Sequence, residues 1–128
     1  MKPLLIDTNI YSFAMRGDED VVDVLRRAEH IGFSVISIGE LLYGFKGGDG
    51  EARNRELLDS FLDGPRVHVY PVNEVTAQFY AEIIINLKKV GKPIPTNDIW
   101  IAAVAFQHGL TIYSKDRHFQ FIPGLSSI

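Results

Sequence analysis

Short apolar runs alternate along the chain with longer amphipathic stretches, the pattern of strands alternating with helices. Runs at 4–6, 33–36, 67–70 and 110–113 each have the length of a buried parallel strand and are bounded by polar or turn residues. Between them the apolar period lengthens. Residues 20–30 carry Val21, Val22, Val24, Leu25 and Ala28 with charges interspersed, and Gly32 offers a stop. Residues 51–62 place Leu57, Leu58, Phe61 and Leu62 on one side. The longest helix is expected over 74–90, where Val75, Phe79, Ile83, Leu87 and Val90 recur at helical spacing and Gly91 follows. Residues 100–107 are almost all apolar, so that helix should lie deep in the core, closed by His108 and Gly109. Gly47, Gly48 and Gly50 mark a mobile surface loop rather than a domain boundary, because amphipathic structure resumes at once beyond them. The pattern is that of an α/β fold.

Composition bounds the picture. A chain of 128 residues that is 46% hydrophobic can fill one core, so a single domain over 1–128 is expected. No run reaches the roughly 18 apolar residues of a membrane span, and Met1 to Ile6 is too short for a signal peptide's apolar region. A soluble, cytoplasmic protein with no membrane partner is the expectation. The absence of cysteine excludes disulfides and thiolate metal sites, leaving carboxylates, hydroxyls, histidines or a bound cation for any chemistry. The net charge of -3 runs against nucleic-acid binding, which favours basic surfaces. Neutralising four acids with metal would leave 12 against 13 Lys and Arg, a balance of +1, which permits such binding without arguing for it.

Four acids stand out by position. Asp7 directly follows the first strand, Glu40 sits in the first turn after the second, and Asp116 lies just past the strand ending at Tyr113. In an open parallel sheet with right-handed crossovers these ends share one edge, where ligands bind. Asp98 joins them at the start of the helix containing Trp100, where the dipole favours a negative group. Each acid has a plainer reading. Asp7 could cap a helix beginning at Thr8, Ser37 and Glu40 have the spacing of a capping box, Asp98 could complement a dipole, and Asp116 could be an ordinary turn residue. Capping, however, does not require all four to converge.

Convergence demands a counter-charge, since two like charges at 4 Å repel by about 4 kcal/mol even at an effective dielectric of about 20. All-oxygen ligation suits a hard divalent cation, Mg²⁺ or Mn²⁺, and a metal-activated water attacking phosphorus is the chemistry such a site performs. The histidines His30, His68, His108 and His118 lack close ligand spacing, which disfavours zinc, and Gly44 to Gly48 lacks the order of a phosphate-binding loop.

Four motifs carry a family resemblance: Leu5-Ile6-Asp7-Thr8-Asn9, then Ser37-Ile38-Gly39-Glu40-Leu41-Leu42-Tyr43-Gly44, then Asn97-Asp98-Ile99-Trp100-Ile101-Ala102-Ala103, then Ser114-Lys115-Asp116-Arg117-His118-Phe119. Together, in this order, they resemble a PIN domain of the VapC toxin type over the whole chain. The resemblance implies a three-layer α/β sandwich with a mostly parallel sheet of four or five strands. It also implies a Mg²⁺- or Mn²⁺-dependent endoribonuclease, the toxin of a type II toxin–antitoxin pair, homodimeric and inhibited by a small antitoxin protein. Its acidic quartet maps onto Asp7, Glu40, Asp98 and Asp116, as metal ligands and catalytic groups. Asn9 and Ser114 match polar positions that shape the site, Ser114 standing where the family often has threonine. A catalytically inactive PIN-like module that binds RNA or protein is the alternative, and it would ordinarily lack one of the acids.

Beside Asp116, Lys115, Arg117 and His118 are candidates for RNA phosphate contacts, with Lys46, Arg53 and Arg55 weaker ones; a solvated turn is the plainer reading. Lys88, Lys89 and Lys92 more simply complement a helix end. Tyr11, Phe13, Tyr43 and Phe45 follow two of the acids and could line a groove for bases or an antitoxin helix, with core packing expected for at least half of them.

Overall fold

Every residue of β1 (Leu4–Ile6) is apolar and buried, as befits a strand covered on both faces. In the computed structural model, which describes residues 2–128, β1 lies between β2 (Ile31–Ser34) and β4 (Thr111–Tyr113), with β3 (Val67–Tyr70) outside β2. Met1, the first residue of the expected domain, lies outside the described residues. All neighbouring strands are parallel, in the order β3-β2-β1-β4. Parallel neighbours need crossovers. The helices supply them: α1 (Thr8–Met15), α2 (Glu19–Arg27), α3 (Val35–Phe45), α4 (Glu51–Leu62), α5 (Glu74–Val90) and α6 (Thr96–His108). A 3₁₀ turn, Arg117–Phe121, follows β4.

Alternation along β1 assigns the two faces. Leu5 enters a core built with Ile83, Leu87, Ile101 and Val104 of α5 and α6. Leu4 and Ile6 join Ile10, Val21, Phe33, Leu41 and Leu58 on the other side. Each side chain of this size contributes roughly 1.5–3 kcal/mol when fully buried, so both faces hold the sheet. The expected three-layer sandwich is present with four strands, and Ser127 adds one parallel bridge to Ile112 rather than a fifth strand. Among the described residues no helix is long and apolar enough to cross a membrane.

Several boundaries agree with the periodicity and others do not. α5 spans the expected residues, capped by a capping box in which Asn73 Oδ1 accepts from the Thr76 amide at 3.2 Å and Thr76 Oγ1 accepts from the Asn73 amide at 3.0 Å. Gly91 ends it at φ 65°, a left-handed conformation that glycine adopts freely. The second strand, in contrast, lies two residues earlier than 33–36. Val35 and Ile36 open α3 instead, because Ser34 Oγ accepts from the Ile36 amide at 3.1 Å and caps the helix there. α6 likewise begins at Thr96, ahead of Trp100. The helix expected to run to residue 30 stops at Arg27, where Arg66 Nη1 donates to the carbonyl oxygens of Leu25 (2.8 Å) and Ala28. Gly32 is therefore not its stop signal. It lies in β2 beneath the Tyr70 ring, and a Cβ there would stand 2.8 Å from Tyr70 Cε2.

Candidate active site

Four separate segments bring carboxylates to the carboxyl edge of the sheet. Asp7 follows β1, Glu40 reaches in from α3, Asp98 occupies the first turn of α6, and Asp116 follows β4. All four line one cleft of about 410 Å³, together with Thr8, Asn9 and Asn97. Glu40 departs from expectation in one respect. It lies in the second turn of α3, and Ser34, not Ser37, is the cap, so the Ser37–Glu40 capping box is absent.

Asp7 is only 4% exposed, and both its oxygens are held. Oδ1 accepts from the Ile10 amide at 2.8 Å, so Asp7 does cap α1, and Oδ2 accepts from Ser114 Oγ. The same Ser114 oxygen accepts from the Asp116 amide at 2.9 Å, which makes this hydroxyl the tie between two acids. Capping and cleft membership are therefore compatible for Asp7. Asp116 Oδ1 in turn accepts from the His118 amide at 2.9 Å at the start of the 3₁₀ turn.

Glu40 is oriented by two hydroxyls to which the sequence assigned no such role, Ser37 having been paired with it only as a capping box. Thr8 Oγ1 donates to Glu40 Oε1 at 2.7 Å, and the buried Ser37 hydroxyl lies 2.9 Å from Thr8 Oγ1. Their sequence signal was slight: Thr8 adjoins Asp7, and Ser37 precedes Glu40 by three residues, which on a helix puts both on one face.

The electrostatics follow from burial and convergence. Burial raises the Asp7 carboxyl above its ordinary value of 3.8; the Ser114 and Ile10 hydrogen bonds oppose this, and the charges of Asp98 and Asp116 add to it. Asp98 is also raised, first by burial and then by Asp116 and Glu40, with the His118 hydrogen bond pulling the other way. An arrangement in which neighbouring acids hold each other's protons is one that a cation would relieve.

The basic candidates separate. His118 turns its ring onto the acids, with Nδ1 3.1 Å from Asp116 Oδ1 and 3.3 Å from Asp98 Oδ2. Lys115 Nζ pairs with Asp18 Oδ2 at 3.0 Å and lies 4.9 Å over the Phe13 ring, so it is anchored to the α1–α2 connection. Arg117 is exposed and makes no ion pair among the described residues. Lys46 and Arg55 face acids of α4, Glu51 at 3.9 Å and Asp59 at 3.3 Å. Of the four aromatics, Tyr11 is buried, Phe13 and Phe45 are partly buried in the same core, and Tyr43 is 84% exposed.

A parallel α/β sandwich with an acidic cleft at its carboxyl edge is what a PIN domain provides, and the chain belongs to the PIN domain family, whose match covers residues 4–125. The resemblance of its motifs to the VapC type is borne out by its relatives. Toxin FitB of Neisseria gonorrhoeae is 33% identical over 121 residues, covering 88% of this chain and 87% of that protein. Ribonuclease VapC2 of Haemophilus influenzae is 30% identical over 130 residues, covering 98% and 96%. In three dimensions the chain is similar to DNA-bound VapBC from Salmonella typhimurium, with a TM-score of 0.89, 25% identity and coverage of 100% and 98%.

Proposed function

We propose that this chain is a metal-dependent endoribonuclease, the toxin of a type II toxin–antitoxin pair, acting through Asp7, Glu40, Asp98 and Asp116. The observation that carries the reading is the convergence of four carboxylates from four separate chain segments on one cleft. Helix capping accounts for Asp7 and Asp116 locally, but not for their meeting with Glu40 and Asp98. The donor set fits a hard divalent ion: oxygens from several acids, two of them, Asp7 and Asp98, raised above their ordinary pKa by burial and by the charges of neighbouring acids. Asp7, Asp98, Asp116 and Glu40 would hold it.

When bound, Mg²⁺ or Mn²⁺ supplies an activated water and charge stabilisation at the scissile phosphate. The chain's own groups supply position. Ser114 ties Asp7 to Asp116, the Ile10 amide fixes the other Asp7 oxygen, and Thr8 with Ser37 aims Glu40. Preorganisation of this kind spares the reorganisation that a mobile cluster would need at the moment of reaction. Arg117, exposed beside Asp116, is the basic side chain best placed to meet an RNA phosphate, while Asn9 lines the cleft from α1.

RNA as substrate and a protein antitoxin as partner accord with the ribonuclease and toxin names of the relatives and with the VapBC structure. The reading extends to one nuclease domain over 1–128, a homodimer, and action in the cytoplasm. The test is cleavage of a mixed RNA substrate by purified protein with Mg²⁺, with Mn²⁺ and with EDTA. Cleavage that needs both the metal and Asp7 and Asp98, read with Asp7→Asn and Asp98→Asn, upholds the proposal. Metal-independent cleavage, or full activity in either variant, refutes the site.

A further inference from the structure

We propose that His118 is a nitrogen ligand of the divalent ion and that it biases the site towards Mn²⁺ over Mg²⁺. The inference rests on the metal-dependent reading above and goes beyond it, because that reading uses oxygen donors alone. His118 was expected to reach for RNA phosphate, yet its ring faces inward, with Nδ1 at 3.1 Å from Asp116 Oδ1 and 3.3 Å from Asp98 Oδ2.

These distances have the size that coordination requires. Adjacent ligands on an octahedral ion with bonds of about 2.1 Å are separated by about 3.0 Å, the bond length times the square root of two. One ligand atom from each of Asp98, Asp116 and His118 lies within 4.8 Å of the others, the one such group of three among the described residues. The nitrogen thus stands close to the separation required of a neighbouring ligand from both oxygens. The ring is also held there. The His118 amide donates to Asp116 Oδ1 at 2.9 Å, and the next residue, Phe119, is buried in the core. Backbone and anchor together keep the imidazole over the acids.

A nitrogen donor changes which ion the site favours. Mg²⁺ is served by carboxylate and water oxygens and gains little from imidazole; Mn²⁺, the weakest nitrogen binder of the first-row divalent ions, still gains more from it than Mg²⁺ does. An all-carboxylate cleft would accept either ion on similar terms. One imidazole tilts the balance to Mn²⁺.

The experiment is calorimetric titration of the full chain with Mn²⁺ and with Mg²⁺ separately, for wild type, His118→Gln, His118→Ala and Asp98→Asn. Pulsed EPR of the Mn²⁺-loaded protein accompanies it. His118→Gln keeps a polar side chain of similar reach but removes the ring nitrogen. It should weaken Mn²⁺ binding about tenfold while changing Mg²⁺ binding less than about twofold, and it should abolish the coupling of Mn²⁺ to a directly bound ¹⁴N seen in wild type. His118 is 39% exposed at its side chain, so both His118 variants should melt like wild type in the absence of metal. Unchanged metal preference and an unchanged ¹⁴N signal in both His118 variants, with binding lost in Asp98→Asn, would overturn the His118 proposal and leave the carboxylate site standing. Failure of wild type to bind either ion would overturn both.

Discussion

The two ends of the sheet each gather titratable side chains, and they differ in whether the members satisfy one another. At the amino edge, His30 Nε2 hydrogen-bonds the hydroxyl of Tyr70, whose ring reaches there from the far end of β3, at 2.7 Å, the His30 and His68 rings stack at 4.1 Å, and Tyr70 packs against His108. Arg66 spends its guanidinium on the carbonyls that end α2. Burial and the neighbouring His68 lower the His30 pKa, favouring the neutral ring that such a stack tolerates. At the carboxyl edge, four acids of one sign converge, and the groups that hold them are placed so that charge remains unbalanced. Proximity alone therefore does not define a site. Unmatched charge, maintained by surrounding structure, does.

The largest effect should fall on the acidic edge. Asp98→Asn should reduce RNA cleavage by at least about 10²-fold, measured at saturating Mn²⁺, with the fold intact by circular dichroism. Next come changes away from the acids, which should cost stability and not chemistry. Gly32→Ala forces a Cβ against Tyr70 Cε2 at 2.8 Å and the Leu4 carbonyl at 3.0 Å, and should destabilise by about 1–3 kcal/mol in urea unfolding. Arg66→Ala strips the end of α2 of its side-chain donor and should cost about 1–2 kcal/mol by the same measurement. Cleavage per folded molecule should be unchanged in both. If either lost activity without unfolding, the separation of the two edges would fail.

The smallest effect sharpens the electrostatic side of the comparison. A carboxyl whose folded-state pKa stands above its unfolded value disfavours folding once ionised, so the stability of the metal-free protein should fall as pH rises from about 3.8 through the raised values of Asp7 and Asp98. Melting curves across that window should show the decline, and Asp98→Asn should flatten it, raising the metal-free melting temperature by on the order of 2–4 °C above it. Addition of Mn²⁺ should raise the wild-type value and leave the variant little changed. A metal-free protein that grew more stable with rising pH would contradict the unmatched-charge account.

Much of the fold was legible where local signals agreed. The bounds of β1, β3, α4 and α5 follow from periodicity and from flanking turn residues, because side-chain period and capping act within a few residues. β2 was displaced because Phe33 to Ile36 is an apolar run in which the helix cap, Ser34, is hidden among strand-forming neighbours. Asp7, Glu40 and Asp116 could be placed at one edge from topology, since parallel strands align their carboxyl ends, while Asp98 joined them through its place at a helix start.

What the sequence by itself determined is thus the alternation of elements, the parallel architecture that follows from it, and the shared edge of Asp7, Glu40, Asp98 and Asp116. Only the tertiary structure decided which groups hold those acids, that Arg66 ends α2, and that His118 faces the cleft while Lys115 turns to Asp18. The reason is the distance along the chain over which each interaction acts. Periods and caps join residues three or four apart, whereas Thr8 meets Ser37 across 29 positions, Arg66 meets Leu25 across 41, and Ser114 meets Asp7 across 107. Contacts of that range exist only once the sheet has assembled and both of its faces are covered.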